Sequence, residues 1–184
     1  MCKTFIFLLL LPFSLLALDY KNLNPEFIII KQFYTDRPLN QSGVLQIWLQ
    51  HNDHPWIHAS YDICRFSGKL GPKKLEGDLQ APEGFYRITQ NDLAPWSRYD
   101  TALKLNYPNA YDQSLGRTGS HIMIHGGCES AGCFAMGSDI WDIYIFAEEA
   151  FKDGVDSIPI SIYPTKSAAN NHFKHSKPAK TVEQ

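Results

Sequence analysis

The sequence predicts a mainly β fold with a few helices (α+β). Short segments in which β-branched or aromatic residues alternate with polar ones dominate the first half of the chain, a pattern typical of strands. Turn-forming residues separate these segments, as at Asn52-Asp53 and Gly71-Pro72. One segment has a clear helical period. A chain of 184 residues is long enough for one core in one domain.

The predicted strands belong to a mixed or antiparallel sheet. They are residues 27–32, 44–50, 56–64, 85–89 and 158–163. Pro159 lies near the start of the last segment. Because proline lacks an amide donor, it favours either an edge strand or a strand start for this segment.

The main helix is predicted over residues 139–152. Ser138 is a candidate N-cap, and Gly154 is a candidate C-terminal stop. The apolar residues of this segment fall on one stripe, which predicts that one face of the helix packs on the core. They are Ile140, Ile143, Tyr144, Ala147, Ala150 and Phe151.

Residues 1–18 are predicted to form a signal peptide. Lys3 precedes an apolar run from Phe5 to Ala17 that is short for a membrane span and ends in a small residue. Cleavage is expected near Ala17. The chain is therefore predicted to be exported, to the periplasm or cell envelope, with no stable membrane span after cleavage.

Residues 19–164 are predicted to form one domain. Residues 165–184 form a polar tail that is expected to be mobile, because Phe173 is its only bulky apolar residue. The formal net charge of −2 provides no basic surface for nucleic acid, and no nucleic-acid partner is predicted.

The segment from His121 to Cys133 holds the candidate catalytic groups. It reads His-Ile-Met-Ile-His-Gly-Gly-Cys-Glu-Ser-Ala-Gly-Cys. A cysteine attacks carbonyls as a thiolate, and a free thiol with a pKa of about 8.5 is mostly protonated at neutral pH. A nearby base must therefore take the proton. Cys133 is the predicted nucleophile, because Gly132 removes bulk beside its sulfur, and His125 is the predicted base.

Backbone groups of the same segment complete the predicted site. The N–H groups of Gly132 and Cys133 are predicted to stabilise a developing oxyanion. The carbonyl of Gly126 is predicted to hold the second ring nitrogen of His125.

His121 is interpreted as a polar neighbour of the site. If residues 120–125 form a strand, its side chain lies on the same face as that of His125. The alternative is a zinc site, because His121, His125, Cys128 and Cys133 are all ligand types that suit zinc. Their irregular spacing and the lack of a second ligand pair disfavour that site, and no metal is predicted.

The cysteine count points to a free thiol. Cys64, Cys128 and Cys133 all follow the predicted signal peptide. Cysteines tend to pair in an oxidising compartment, so an odd number leaves one unpaired. If Cys133 is the free one, Cys64 and Cys128 either pair or remain buried thiols.

Residues 124–136 resemble the active-site signature of the L,D-transpeptidase (YkuD-type) catalytic domain family, in its YafK-like branch. Residues 67–78 and 81–88 resemble the glycine-rich turn of that family and the strand after it, and residues 107–112 resemble a further segment of the branch. The similarity extends over residues 26–164. It implies an L,D-transpeptidase-like β-sandwich whose main helix follows the nucleophile.

The resemblance implies an exported enzyme that acts on diaminopimelate-containing peptidoglycan stem peptides through a cysteine acyl-enzyme, without a metal or organic cofactor. His125 and Cys133 lie eight residues apart, whereas the wider family usually has a longer loop and a second histidine where this chain has Ala131. The shorter loop resembles the YafK-like branch. That branch is associated with cross-linking and with L,D-carboxypeptidase, amidase and protein-release chemistry, so a wall-attached lipoprotein is a further candidate partner.

The predicted substrate contacts are Ser130, Arg117 and a lysine of the glycine-rich turn, Lys69 or Lys73, because stem peptides carry carboxylates. The alternative for each charged residue is an ordinary solvated surface charge. Two other functions fit the same residues. One is a non-catalytic peptidoglycan-binding module, and the other is a secreted thiol hydrolase acting on proteins.

Overall fold

A computed structural model describes residues 18–172 of the chain, which form two packed β-sheets and short helices. The strands are β1 (Glu26–Gln32), β2 (Val44–His51), β3 (His54–Asp62), β4 (Arg65–Phe66), β5 (Gly84–Ile88), β6 (Leu93–Ser97), β7 (Asp100–Lys104), β8 (Met123–His125), β9 (Phe134–Ala135) and β10 (Ile158–Thr165). The α-helices are α1 (Tyr20–Leu23), α2 (Ala110–Ser114), α3 (Ile140–Lys152) and α4 (Lys166–Ala169). The mainly β α+β prediction is confirmed.

The first sheet has the strand order β3-β2-β1-β10-β5. Strand β10 runs parallel to β1 and antiparallel to β5, so it lies inside the sheet. Pro159 pairs with Arg87 of β5 and precedes Ile160, the first residue that pairs with β1. The strand-start position predicted for Pro159 is therefore confirmed, and the edge-strand alternative is wrong.

The second sheet has the strand order β4-β9-β8-β7-β6. Strands β8 and β9 are parallel neighbours, although only residues 126–133 connect them. Parallel neighbours are commonly joined by a crossover of about a dozen residues or more. This connection is shorter, and it contains the predicted nucleophile.

One apolar core joins the two sheets and α3. Its fully buried members come from β1, β2, β8, β9 and α3, among others, and include Phe27, Leu45, Ile124, Phe134, Ile140 and Ile143. The apolar stripe predicted for the main helix is buried as expected. The helix begins at Ile140, and Ser138 lies in a preceding 3₁₀ turn, where no side-chain cap is formed. The N-cap prediction for Ser138 is therefore wrong.

The strand before the active-site motif is shorter than the alternation suggested. Strand β8 begins at Met123, and His121 has a left-handed φ of 56°. His121 therefore does not share a strand face with His125. Its exposed side chain hydrogen-bonds the Ser120 hydroxyl at 2.9 Å instead.

The first part of the expected mobile tail is packed on the first sheet. Strand β10 continues to Thr165, one residue past the predicted domain end, and α4 follows directly. The ring nitrogens of His172 lie 2.5 Å from the Tyr163 hydroxyl and 2.8 Å from a Glu26 carboxylate oxygen. The rest of that tail, residues 173–184, lies outside the described residues.

The predicted signal peptide lies outside the described residues except for Leu18. From residue 18 to residue 172, the structure contains no helix that is both long and apolar enough to cross a membrane.

Lys31 places a buried ammonium group at the end of β1. Its side chain is fully buried, and its Nζ donates to the carbonyls of Lys69, Gly71 and Ala81 at 2.8, 3.3 and 3.1 Å. The Glu83 carboxylate lies 3.1 Å away. Burial lowers the pKa of Lys31, and Glu83 opposes that shift. The interaction attaches residues 67–81, which we call the glycine-rich segment, to the first sheet.

We expect Lys31→Met to destabilise the fold by about 3 kcal/mol, the cost typical of removing one partner of a buried ion pair. Methionine retains the length of the side chain but removes one of the two donors to these carbonyls, since Gln80 is the other, and leaves the Glu83 carboxylate without its cation. The measurement is the free energy of unfolding in urea. Lys152→Met is the matched control, because Lys152 is exposed on α3 and pairs with Glu148 and Glu149 at the surface. Equal unfolding midpoints for the two variants would contradict this account.

Candidate active site

The candidate active site lies on the connection between β8 and β9. Gly127 and Gly132 have φ values of +67° and +128° in this connection, and such values favour glycine. At Gly132 an added Cβ would lie 3.3 Å from the Gln80 carbonyl oxygen. The connection is therefore packed against the glycine-rich segment that Lys31 holds.

A disulfide fixes the middle of the same connection. Cys128 is bonded to Cys64, which lies between β3 and β4, and their Cα atoms are 5.4 Å apart. Of the two alternatives for this pair, the disulfide is therefore the one observed. Cys133 is the free cysteine of the described residues. In this state Cys128 can serve neither as a nucleophile nor as a zinc ligand.

The thiol of Cys133 is half-buried beside the end of β8. Its Sγ lies 3.5 Å from the His121 carbonyl oxygen, a distance within hydrogen-bond range for sulfur. Burial raises the pKa of the Cys133 thiol, while the Met123 backbone N–H and the charge of Lys73 oppose the shift. The thiol is therefore mostly protonated at neutral pH and requires a base to become nucleophilic.

The imidazole of His125 is buried at the end of β8. Its Nδ1 lies 2.6 Å from the Gly126 carbonyl oxygen, which is the contact that the sequence predicted. Because a carbonyl can only accept, this contact places a proton on Nδ1 and leaves Nε2 of the neutral ring as an acceptor. Burial lowers the pKa of His125, so the ring is neutral at neutral pH.

Strand register places Cys133 directly before the strand that pairs with β8. Ile124 pairs with Phe134, the residue after Cys133, and His125 pairs with Ala135. Cys133 itself lies in a bend, and its Sγ is directed to the His121 carbonyl on the β8 side. Within residues 18–172 no hydrogen bond joins the two side chains. Catalytic hydrogen bonds often tighten only when substrate binds.

Ser130 stabilises the turn before the nucleophile. Its hydroxyl donates to the Cys133 carbonyl at 2.7 Å and accepts the Gly132 N–H at 3.3 Å. The Gly132 N–H, a predicted oxyanion donor, is therefore already engaged. Across the described part of the chain, no acceptor is bonded to the Cys133 N–H, which is the better oxyanion candidate of the two.

Two of the predicted substrate-binding cations already have protein partners. Arg117 pairs at 2.7 Å with Asp112, a buried carboxylate at the start of α2. Lys73 is buried, and its Nζ lies 2.5 Å from Asp78 and 2.9 Å from the Leu75 carbonyl oxygen. The side chain of Lys69 is exposed to solvent.

The Lys73–Asp78 pair is part of a closed turn. Partial burial raises the pKa of Asp78, but Lys73 and three backbone N–H groups outweigh that effect and hold the pKa well below its usual range. Ion pairs within the protein thus account for the positions of the Arg117 and Lys73 side chains, and neither ion pair requires a bound substrate.

Three residues near the site have no signal in the sequence motif. Lys31 and Gln80 hold the glycine-rich segment, where the Gln80 side chain donates to the Lys69 and Gly71 carbonyls at 2.6 and 2.8 Å. The Tyr99 ring stacks on the His125 imidazole, with centroids 4.5 Å apart. Tyr99 lies on a hairpin turn that the strand pattern did not predict.

The positions of the side chains bear on the alternative of a zinc site. The part of the chain between residues 18 and 172 contains no group of three or more histidine, cysteine or acidic side chains placed to hold a metal ion. Cys128 is in the disulfide, and the His121 ring is directed to Ser120.

Comparison with known proteins shows which family the chain matches. A family model described as the L,D-transpeptidase catalytic domain (YkuD) matches residues 65–162. The chain is 41% identical over 136 residues to the protein named "Putative L,D-transpeptidase YafK" in Escherichia coli K12, and equally to the protein of that name in Escherichia coli O157:H7. The match covers 73% of this chain and 55% of each relative, so the chain spans about half the length of these relatives.

Solved structures share the fold. The helical cell shape determining protein Pgp2 from Campylobacter jejuni superposes with a TM-score of 0.58 at 22% identity, over 78% of this chain and 49% of that protein. Bd1075 from Bdellovibrio bacteriovorus superposes with a TM-score of 0.50 at 19% identity, over 84% and 54% of the two chains. At these identities the similarity concerns the fold.

We expect protein that begins at Leu18 to contain one free thiol before reduction and three after it, because only Cys64 and Cys128 are bonded to each other. The measurement is thiol titration with DTNB in denaturant, with and without prior reduction. Cys133→Ser is the control and should give no thiol before reduction and two after it. Three free thiols before reduction would contradict the disulfide.

Proposed function

Because this chain belongs to the L,D-transpeptidase (YkuD) catalytic domain family, we propose that it is an exported cysteine enzyme that modifies peptidoglycan. The proposed substrate is a stem peptide that contains diaminopimelate. The observation that carries the proposal is a free thiol at Cys133, directly before the strand that pairs with β8, where the Nδ1 of His125 is held by the Gly126 carbonyl.

The state of the cysteines supports an extracytoplasmic location. Cys64 and Cys128 are oxidised while Cys133 is free, and structural disulfides persist in oxidising compartments such as the periplasm. The apolar run after Lys3 is the proposed export signal. We therefore assign the chain to the periplasm or cell envelope.

Acylation of Cys133 is the proposed first step. Nε2 of His125 takes the thiol proton as sulfur attacks the carbonyl carbon of the amide that follows diaminopimelate, and the Cys133 N–H stabilises the resulting oxyanion. His125 then returns the proton to the leaving amine. The C–N bond breaks, and a thioester to Cys133 forms. Water or an amine resolves the thioester and restores the thiol.

The two pKa shifts favour general base catalysis over a preformed ion pair. Burial lowers the pKa of His125 and raises that of Cys133, so the neutral imidazole and the protonated thiol are the resting forms at neutral pH. The base is competent while it is neutral. Activity is therefore lost as the pH falls through the pKa of His125, which lies below the ordinary value of 6.5.

We expect Cys133→Ala to abolish turnover of disaccharide tetrapeptide, and His125→Gln to lower kcat/KM by about 10²-fold or more, since general base assistance is lost. The measurement is mass spectrometry of muropeptides incubated with the exported form of the chain. Circular dichroism verifies that both variants are folded.

The matched control for the second variant is His121→Asn. Asparagine tolerates the left-handed φ of this position and retains the backbone carbonyl beside Sγ, so most of the wild-type rate should remain. Equal, small effects of the two histidine substitutions would contradict the assigned base. Binding of sacculi without turnover would indicate a binding module, and cleavage of proteins but not of muropeptides would indicate a thiol hydrolase of another kind.

The proposed fate of the acyl group is release. Only residues 126–133 separate β8 from β9, and the disulfide holds this connection near β4. Ala131 is exposed and provides no second imidazole to place an incoming amine. An acceptor site with less protein around it favours water over a second stem peptide.

We therefore expect L,D-carboxypeptidase or amidase cleavage at diaminopimelate to be faster than the formation of 3–3 cross-links. The test follows tripeptide and cross-linked dimer over time during incubation with disaccharide tetrapeptide. Tripeptide should exceed dimer from the earliest samples. Dimer in excess at those times, with tripeptide appearing later, would assign the chain to cross-linking instead.

A further inference from the structure

The hairpin turn between β6 and β7 covers the catalytic end of β8. Residues Ser97 and Asp100 pair across the turn, and the Tyr99 N–H donates to the Ser97 hydroxyl at 3.0 Å. Asp100 has a left-handed φ of 69°, an unusual value for a residue other than glycine. The turn thus has a defined conformation directly before the strand that pairs with β8.

Gly126 shows how closely this turn approaches the site. A Cβ atom at Gly126 would lie 2.5 Å from the Tyr99 carbonyl oxygen and 3.0 Å from Asp100 Oδ2. Such approaches do not occur between real Cβ atoms and a backbone oxygen, so glycine is required here. The backbone of Tyr99 is therefore packed against the residue that follows His125.

The side chain of Tyr99 completes the contact. Its ring lies on the His125 imidazole with centroids 4.5 Å apart and an interplanar angle of 28°, an offset stacking arrangement that aromatic pairs prefer. The ring nitrogen Nδ1 is bonded to the Gly126 carbonyl. One hydrogen bond fixes which nitrogen bears the proton, but the tilt of the imidazole plane needs a second contact, which the stack provides.

We propose that Tyr99 is a positioning residue that holds the His125 imidazole in the plane from which Nε2 takes the Cys133 proton. This inference rests on the proposed function and adds to it a residue outside the motif. A small misorientation of a base has a large kinetic cost, because proton transfer needs hydrogen-bond geometry. Tyr99 acts through His125 and does not itself take part in proton transfer.

The ring also limits the contact of His125 with water. Burial is the main cause of the lowered pKa of His125, and the Gly126 carbonyl opposes it. The charged groups of the elements packed on this end of β8 are Arg98 and Asp100 on the turn and Asp139 beside Ile140, which lies close to Gly126, and none of them is hydrogen-bonded to the imidazole. Removal of the Tyr99 ring should therefore raise the pKa of His125 toward its ordinary value.

The test compares Tyr99→Leu with Tyr99→Phe. Leucine retains bulk but has no aromatic face, whereas phenylalanine retains the stack and lacks only the hydroxyl. Tyr34→Leu is the matched control, because Tyr34 is a half-buried tyrosine in the loop after β1 whose ring lies under the Arg37 guanidinium. Thermal unfolding of all variants separates loss of fold from loss of positioning.

Two measurements need no peptidoglycan. One is the NMR titration of His125, and the other is the pH dependence of Cys133 alkylation by iodoacetamide. For Tyr99→Leu we expect a higher His125 pKa and slower alkylation at neutral pH. With disaccharide tetrapeptide, kcat should fall about tenfold with little change in KM. Tyr99→Phe and Tyr34→Leu should match the wild type in the His125 pKa, the alkylation rate and kcat.

Three results would overturn the proposal. They are a Tyr99→Leu variant that matches the wild type, a Tyr99→Phe variant that is as impaired as Tyr99→Leu, and a Tyr34→Leu variant with the same losses. If the wild-type chain converts no muropeptide, the proposed function fails, while titration and alkylation still decide the role of Tyr99.

Discussion

The candidate site depends most on the contacts of the buried Lys31 ammonium, which are three hydrogen bonds and one ion pair. This ammonium attaches the first sheet, which contributes no group to the candidate site, to the segment that packs against Gly132, the residue before the candidate nucleophile. The three carbonyls that accept from its Nζ belong to the glycine-rich segment, and the Gln80 side chain binds the same three. Gly132 then packs against the Gln80 carbonyl. A charge on β1 is thereby connected to the residue beside Cys133.

A short parallel connection is the second constraint. Eight residues must lead from β8 to the start of β9, and the pairing of the two strands brings the backbone next to Cys133 alongside the strand that carries His125. Gly127 and Gly132 make the path possible through their positive φ values, and the disulfide at Cys128 reduces its freedom. The same short connection leaves little protein beside the thiol, which is the basis of the proposed release of the acyl group.

Burial decides how the two groups share a proton. Desolvation disfavours the charged form of each, so it lowers the pKa of His125 and raises the pKa of Cys133. An ion pair of the two groups is thereby disfavoured at rest, and in the proposed mechanism the proton moves as the thiol attacks. In that mechanism the Tyr99 stack and the Gly126 carbonyl supply orientation, which a neutral base needs because no charge attracts it to the thiol.

The sequence by itself determined the strands with clear alternation and the main helix, and it supplied the candidate thiol and the candidate base, because these depend on neighbouring residues. Only the tertiary structure decided that Cys64 pairs with Cys128 and that Arg117 forms an ion pair with Asp112. It also decided that the Gly132 N–H, one of the two amides beside the thiol, is already hydrogen-bonded. It also added Lys31 and Tyr99, which lie 102 and 34 positions before Cys133 in the chain. Their contacts arise from the packing of two sheets and from a hairpin turn, and local periodicity contains no information about either.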